Sequence, residues 1–146
     1  MAAKRTDIHR CACTILRQAA RVATQHFDRT LATSGLRISQ LSVLTTLRYV
    51  GPKTINELAE IMVLDRTTLG RNLKPLEREG YLAVEAGEDD RRTKQLVLTK
   101  KGEKVAVKAM DSWGDAQTSF EQAIGLDNAI ALSKLLRQVV KADYTK

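Results

Sequence analysis

The stretch "TINELAEIMVLDRTTLGRNLKPLEREGYLAVEAGEDDRRTKQLVLT", residues 54–99, decides the fold. Thr54 is followed three residues on by Glu57, the spacing of a capping box, so a helix begins there. Asp65 starts a second helix, "DRTTLGRNLKPLEREG", in which Leu69, Leu73 and Leu76 form the buried stripe and Gly80 ends the run. "YLAVE" (81–85) and "QLVLT" (95–99) read as short strands, because β-formers dominate both. The nine residues between them, "AGEDDRRTK", form a polar hairpin loop. Two helices and a hairpin in this order predict a helix-turn-helix followed by a two-stranded wing.

In that arrangement Ala59 sits where the first helix must be small, because the second crosses close by, and Leu58, Met62, Leu64 and Leu69 fill the shared core. The second helix then turns Arg66, Thr67, Thr68, Gly70, Arg71 and Lys74 outward. Hydroxyls and guanidinium suit base edges, glycine permits close approach, and lysine suits phosphate. Asn72 falls where an apolar residue would be usual, so Leu73 takes over its packing. Pro75 removes the bond to the Arg71 carbonyl and is expected to kink the helix, leaving residues 65–74 as the inserted half. A hairpin tip with Arg91 and Arg92, supported by Lys94, can enter the neighbouring minor groove, whose negative potential attracts arginine. The acids at 88–90 would repel phosphate, so one of them, Asp90, is expected to pair with an arginine and aim it.

Outside the central stretch, residues 7–33 carry apolar side chains at helical spacing without Gly or Pro: Ile8, Ala12, Ile15, Ala19, Val22, His26/Phe27 and Leu31. Thr6 or Asp7 is the expected cap, and Ser34-Gly35 the end. A helix of roughly 26 residues would be about 39 Å long, longer than so small a domain is wide. "ISQLSVLTTLRYVGP" predicts a helix capped by Ser39, striped by Leu41, Leu44, Leu47 and Val50, and stopped at Gly51-Pro52. Thr99 is expected to cap a long helix carrying Val105, Ala109, Met110, Trp113, Ala116, Phe120 and Ile124. Asp127 is expected to cap a last helix carrying Ile130, Leu135, Leu136 and Val139. The expected fold is mainly α with a small β-wing: one domain over 1–146, with a winged helix-turn-helix lobe at about 38–99. Outer helices at about 7–33 and 100–143 carry more apolar surface than the lobe can cover, which predicts a homodimer built from both chain ends.

With 146 residues the chain can bury a core as one domain. No apolar run reaches the roughly 18 residues of a membrane span, and no signal core opens the chain, so the expectation is a cytoplasmic protein with no membrane partner. Net charge is +7, which suits a polyanion partner. Residues 1–53 alone balance at +7 and residues 65–101 at only +2, so spacing rather than charge marks the nucleic-acid site. No glycine-rich phosphate loop, nucleophile motif or paired carboxylate site is present, which argues against an enzyme. Cys11, Cys13, His9 and His26 fit no standard zinc spacing, so neither metal nor cofactor is expected.

"LAEIMVLDRTTLGRNLKPLEREGYLAVEAGEDDRRTKQLVLTKKGE" (58–103) resembles the MarR family of winged-helix regulators. The resemblance rests on Asp90-Arg91-Arg92, on Leu96-Val97-Leu98-Thr99 with Gly102, and on Asp65-Arg66-Thr67-Thr68; the helix order at both ends agrees with it. It implies a homodimer joined by the first, fifth and sixth helices, bound to a palindromic double-stranded operator. It also implies an Asp65–Arg92 pair that holds the wing against the reading helix, and a repressor released by a small phenolic or acidic ligand or by an oxidant.

Two kinds of sensor are open. Cys11 and Cys13 lie where the family's organic-peroxide sensors place their reactive cysteine, Cys13 being the closer match. The tyrosines of that branch are replaced here by Arg17, Phe27 and Ser34. Arg10 and Arg17 would favour a thiolate, whereas buried, inert thiols are the plain expectation. On a helix the two would point about 200° apart, which disfavours a bridge between them. Alternatively Arg17, Arg21 or Arg48 holds an anionic effector in a cavity between the layers. A ligand-independent architectural DNA-binding protein is the rival of another class.

Overall fold

A computed structural model describes residues 8–145. Six helices and one hairpin follow in chain order: α1 (Ala12–Leu31), α2 (Ile38–Val50), α3 (Ile55–Ile61), α4 (Arg66–Arg78), β1 (Leu82–Ala86), β2 (Lys94–Leu98), α5 (Lys100–Ile124) and α6 (Leu126–Lys141). The expected class and order hold, with shifted boundaries. The first helix is shorter than 7–33. It is α-helical for 20 residues and flanked by single 3₁₀ turns at Ile8–Arg10 and Ala32–Ser34. Cys11, in extended conformation, is its N-cap. Thr6, Asp7 and the side chain of His9 lie outside the described residues.

Ser39 is not the cap of α2. The helix starts two residues earlier because the Ile38 N–H donates to Asp28 Oδ1 of α1 at 2.7 Å, and Arg37 takes the N-cap, its N–H donating to Gln40 Oε1 at 2.9 Å. Asp127 is not a cap either. Gly125, at φ 88°, turns the chain sharply enough for α6 to begin at Leu126, so Asp127 falls within the first turn. Thr54 and Glu57 do form the capping box: the Glu57 N–H donates to Thr54 Oγ1 and the Thr54 N–H to Glu57 Oε2.

The core lies between the lobe and the first half of α5. Leu41, Val43, Leu44 and Leu47 of α2 meet Leu58, Leu69, Leu73 and Leu76, with Leu82 and Leu96 of the wing and Ala106 and Ala109 of α5. Leu98 and Tyr81 rest on its edge. Gly102 is buried there, and only glycine fits because a Cβ would run into the Tyr81 carbonyl oxygen. Thr99 caps α5 through the Gly102 N–H at 3.0 Å and donates its own hydroxyl to the Gly80 carbonyl at 2.7 Å. Lys101 Nζ donates to the Glu79 carbonyl at 2.7 Å. The start of α5 therefore holds the two carbonyls that follow α4, those of Glu79 and Gly80.

Of the outer helices α6 takes no part in this core, and α1 enters it only through Leu31 at its C-terminal end. No residue of α6 is buried, and Leu126, Ile130, Leu135, Leu136, Val139 and Val140 all stand exposed, as do Ile15 and Val22 of α1. α1 meets the second half of α5 through Phe27 against Phe120 and through His26, whose Nε2–H donates to the Ala116 carbonyl at 2.9 Å.

Candidate nucleic-acid interface

The α4 helix begins where Asp65 accepts the Thr68 N–H at 2.8 Å and the Thr68 hydroxyl at 2.6 Å. Those bonds, the hydroxyl first, hold the Asp65 carboxyl below the usual carboxylate range. Leu69, Leu73 and Leu76 are buried beneath the helix. At 100° per residue, Thr67, Arg71 and Lys74 lie on the face opposite them. Arg66, Thr67, Arg71 and Lys74 are exposed, Thr68 and Gly70 half-buried, and a Cβ at Gly70 would meet nothing. Thr67, Arg71 and Lys74 thus share one open face, with Arg66 and Gly70 on one flank of it and Thr68 on the other. The helical pattern runs unbroken from Arg66 to Arg78 through Pro75, with Leu73 and Leu76 buried on either side of it; the missing Pro75 N–H costs one ladder bond.

The turn that sets α4 across α3 is held by the Leu64 N–H donating to the Ala59 carbonyl at 2.9 Å. Ala59 is buried, as the crossing requires. Val63 takes up the turn with φ 53°, a left-handed conformation that a β-branched side chain rarely adopts.

β1 and β2 pair antiparallel from Leu82↔Leu98 to Ala86↔Lys94. Both strands lie one residue nearer the tip than expected, because the Tyr81 N–H donates back to the Leu76 carbonyl of α4 at 2.9 Å and not across to Thr99. Lys94 is consequently a strand residue, and the connecting loop is 87–93. Lys53, in the α2–α3 connection, pairs with Leu96 in both directions: the Leu96 N–H donates to its carbonyl at 2.7 Å and its own N–H to the Leu96 carbonyl at 3.3 Å. This third strand-like contact anchors the wing root.

At the tip, Asp90 Oδ1 accepts the Arg92 N–H at 2.9 Å, and the Asp90 carbonyl accepts the Thr93 N–H at the same distance. Asp90 therefore shapes the loop backbone and does not bind a guanidinium. Arg91, Arg92 and Lys94 are exposed. The expected Asp65–Arg92 pair is not formed, since the Asp65 carboxylate is engaged by Thr68. Among the described residues the ion pairs are Arg48–Glu103 and Arg78–Glu79.

The expected effector arginines do not converge. Arg48, at the end of α2, lies 3.4 Å from Glu103 of α5 in the open. Arg17 lines an apolar cavity of about 520 Å³ between α1 and the end of α6, together with Cys13, Leu16 and Tyr144, and Arg21 lies in a separate groove with Thr24 and Gln25. The thiols differ from the plain expectation as well: Cys11 is half-buried and Cys13 exposed in the single chain, and both are free. Cys11 is outside the helix, so the 200° separation of two helical positions does not apply to this pair. The Thr14 N–H, then its hydroxyl, then the Cys13 N–H lower the Cys11 thiol pKa. No group of three His, Cys, Asp or Glu gathers as a metal site among the described residues. No helix among them is long and apolar enough to cross a membrane. Two contributors escaped sequence reasoning. Lys53 shows only as one residue after a helix-stopping proline, and Lys101 as one of several lysines; neither has a local signal for its long-range carbonyl partner.

Residues 36–94 match the model of the MarR family. The chain is 38% identical over 89 residues to the uncharacterized HTH-type transcriptional regulator YwoH of Bacillus subtilis strain 168, covering 61% of this chain and 64% of that protein. It therefore spans a little under two thirds of that relative. Among solved structures, the transcriptional regulator MosR of M. tuberculosis in complex with DNA superposes with a TM-score of 0.71 at 34% identity, over 90% of this chain and 99% of that one. BpsR of Bordetella bronchiseptica, whose DNA binding is regulated by 6-hydroxynicotinic acid, superposes with a TM-score of 0.83 at 24% identity, over 93% and 97% of the two chains.

Proposed function

As the chain belongs to the MarR family, we propose that it is a homodimeric, sequence-specific DNA-binding regulator. In this reading it is a cytoplasmic repressor of a palindromic operator and not an enzyme. The observation that carries this is the α4 surface: Thr67, Arg71 and Lys74 stand outward on a helix fixed from below by three buried leucines, beside a hairpin whose tip exposes Arg91 and Arg92. Thr67, Thr68 and Arg71 read base edges in the major groove, with Gly70 admitting the duplex closely; Arg66 and Lys74 meet phosphate. Arg91 and Arg92 enter the flanking minor groove, and Lys94 meets phosphate at the strand end. The apolar side chains exposed on α6 and α1 meet a second copy, which sets the two reading helices about one helical turn of DNA apart. Support comes also from the DNA complex of MosR, a relative of the same length class.

The signal is a small anionic or phenolic molecule that alters the separation of the two reading helices. BpsR, with its hydroxynicotinic acid, supports this by analogy of fold. A second reading is favoured by the Cys11 thiol, lowered at the start of α1, with Cys13 exposed two residues on: an oxidant acts on these thiols and releases the operator. The test is fluorescence anisotropy at fixed salt, using duplex DNA from immediately upstream of the protein's own gene and a shuffled duplex of equal length. Tight binding confined to the first duplex supports the regulator. Equal binding to both overturns it in favour of an architectural protein. Loss of binding in mild peroxide, reversed by reductant, selects the thiol reading; indifference to peroxide selects the small ligand.

A further inference from the structure

Two adjacent threonines open the exposed end of α4, and their hydroxyls are not equivalent. Thr67 is exposed, and its hydroxyl has no bonding partner among the described residues. The Thr68 hydroxyl lies 2.6 Å from Asp65 Oδ2, while Asp65 Oδ1 takes the Thr68 N–H at 2.8 Å. An ionised carboxylate has no proton to give. The short bond must therefore use the single hydroxyl proton of Thr68. What remains on that oxygen, facing away from Asp65, is lone pairs.

This restricts what Thr68 can recognise. A hydroxyl that can only accept makes no hydrogen bond to a phosphate oxygen, because phosphate is an acceptor too. In the major groove it also makes none to guanine N7 or O6 or to thymine O4. The donors there are adenine N6 and cytosine N4. Resting on the DNA-binding reading above, we infer that Asp65 makes Thr68 an acceptor-only reader, which selects adenine or cytosine at one position of each half-site. Thr67 keeps its proton and remains free to donate or accept. Asp65 is then a positioning residue for specificity as well as a helix cap, because it fixes the direction of a proton on its neighbour.

The inference is tested by selecting duplexes from a randomised library with the full-length protein, its Thr68→Val variant and its Asp65→Asn variant. Asparagine caps helices about as well as aspartate, and helical circular dichroism checks both folds. In Asp65→Asn the amide oxygen keeps the Thr68 N–H, so the NH₂ group takes the place of Oδ2 and donates to the hydroxyl. The Thr68 proton is thereby released toward the groove. The wild type should show a half-site position favouring adenine or cytosine by about threefold to tenfold, the size of one neutral hydrogen bond. That preference should vanish in Thr68→Val and turn to guanine or thymine in Asp65→Asn. A wild-type motif retained by both variants overturns the inference and leaves the regulator reading intact, as does a position lost in Thr68→Val that favoured guanine or thymine. A wild type that enriches no motif overturns the reading itself, and the inference with it.

Discussion

Replacing Gly102 with alanine should destabilise the protein, although alanine is by far the better helix former. In an open helical position the exchange gains about 1 kcal/mol. At Gly102 the new methyl would run into the Tyr81 carbonyl oxygen and lie 2.9 Å from Leu98 Cδ1. Relieving that contact means lifting the first turn of α5 off the end of α4 by about an ångström. Overpacking of this kind costs about 1–3 kcal/mol. The same movement loosens the Thr99 N–H bond to Tyr81 and the Thr99 hydroxyl bond to Gly80, at about 1 kcal/mol each. With the propensity gain set against these, the loss should be about 2–4 kcal/mol. Urea unfolding followed by circular dichroism at a single protein concentration measures it, since dimer stability depends on concentration. The control is Gly70→Ala, where a methyl meets nothing: it should stabilise by up to about 1 kcal/mol while weakening DNA binding at the contact face. Equal stabilisation by both substitutions would refute the argument that α4 and α5 are locked at this point.

Arg92→Ala should weaken operator binding about tenfold or more and leave the protein folded; Lys74→Met should lower the salt slope of binding by about one, as for a single lost phosphate contact. Val63→Gly should stabilise by about 1 kcal/mol by removing left-handed strain at an exposed valine, read as a shift in the urea midpoint. Leu135→Arg on the exposed face of α6 should give a monomer in sedimentation, and an unchanged dimer would count against the outer helices as the joint. Glu57 and Asp65 have folded pKa values below their ordinary ones, held down first by the Thr54 N–H and by the Thr68 hydroxyl respectively. Their stabilisation is therefore complete above the ordinary carboxylate range, about pH 4, and is lost as pH falls through it. Stability measured against pH should fall less steeply on the acid side in Asp65→Asn. In Cys13→Ser, alkylation of Cys11 should have its midpoint below that of a free cysteine peptide, and Thr14→Ala should raise it.

The lobe was readable because its signals are local. Thr54 with Glu57, Asp65 with Thr68, and Thr99 with Gly102 are each three residues apart, and each forms the bond that this spacing suggests. The leucine stripe of α4 needs only helical periodicity. What escaped reading depends on partners distant in the chain. Asp28, ten residues away, takes the Ile38 N–H and moves the start of α2; Lys53, before α3, pairs with Leu96 and anchors the wing root. The candidate site divides in the same way. The reading face follows from one helix, whereas pairing Asp65 with Arg92 requires two elements to meet, and Asp65 is already satisfied within its own turn. Of the arginines offered as alternatives for an effector, Arg17 and Arg21 share α1, whereas Arg48 ends α2 and meets Glu103 of α5.

Through Thr99 and Lys101 the start of α5 grips the carbonyls of Gly80 and Glu79, just beyond α4, and ties the two helices end to end. α5 is 25 residues long, about 37 Å, and its far end rests on α1 through Ala116 and Phe120. A tilt of about 5° at that end displaces the reading helix by about 3 Å over such a length. That is close to the 3.4 Å step between successive base pairs. In a pair of copies joined through their outer helices, a change too small to disturb any packed side chain would put both reading faces out of register with the groove by about one base pair.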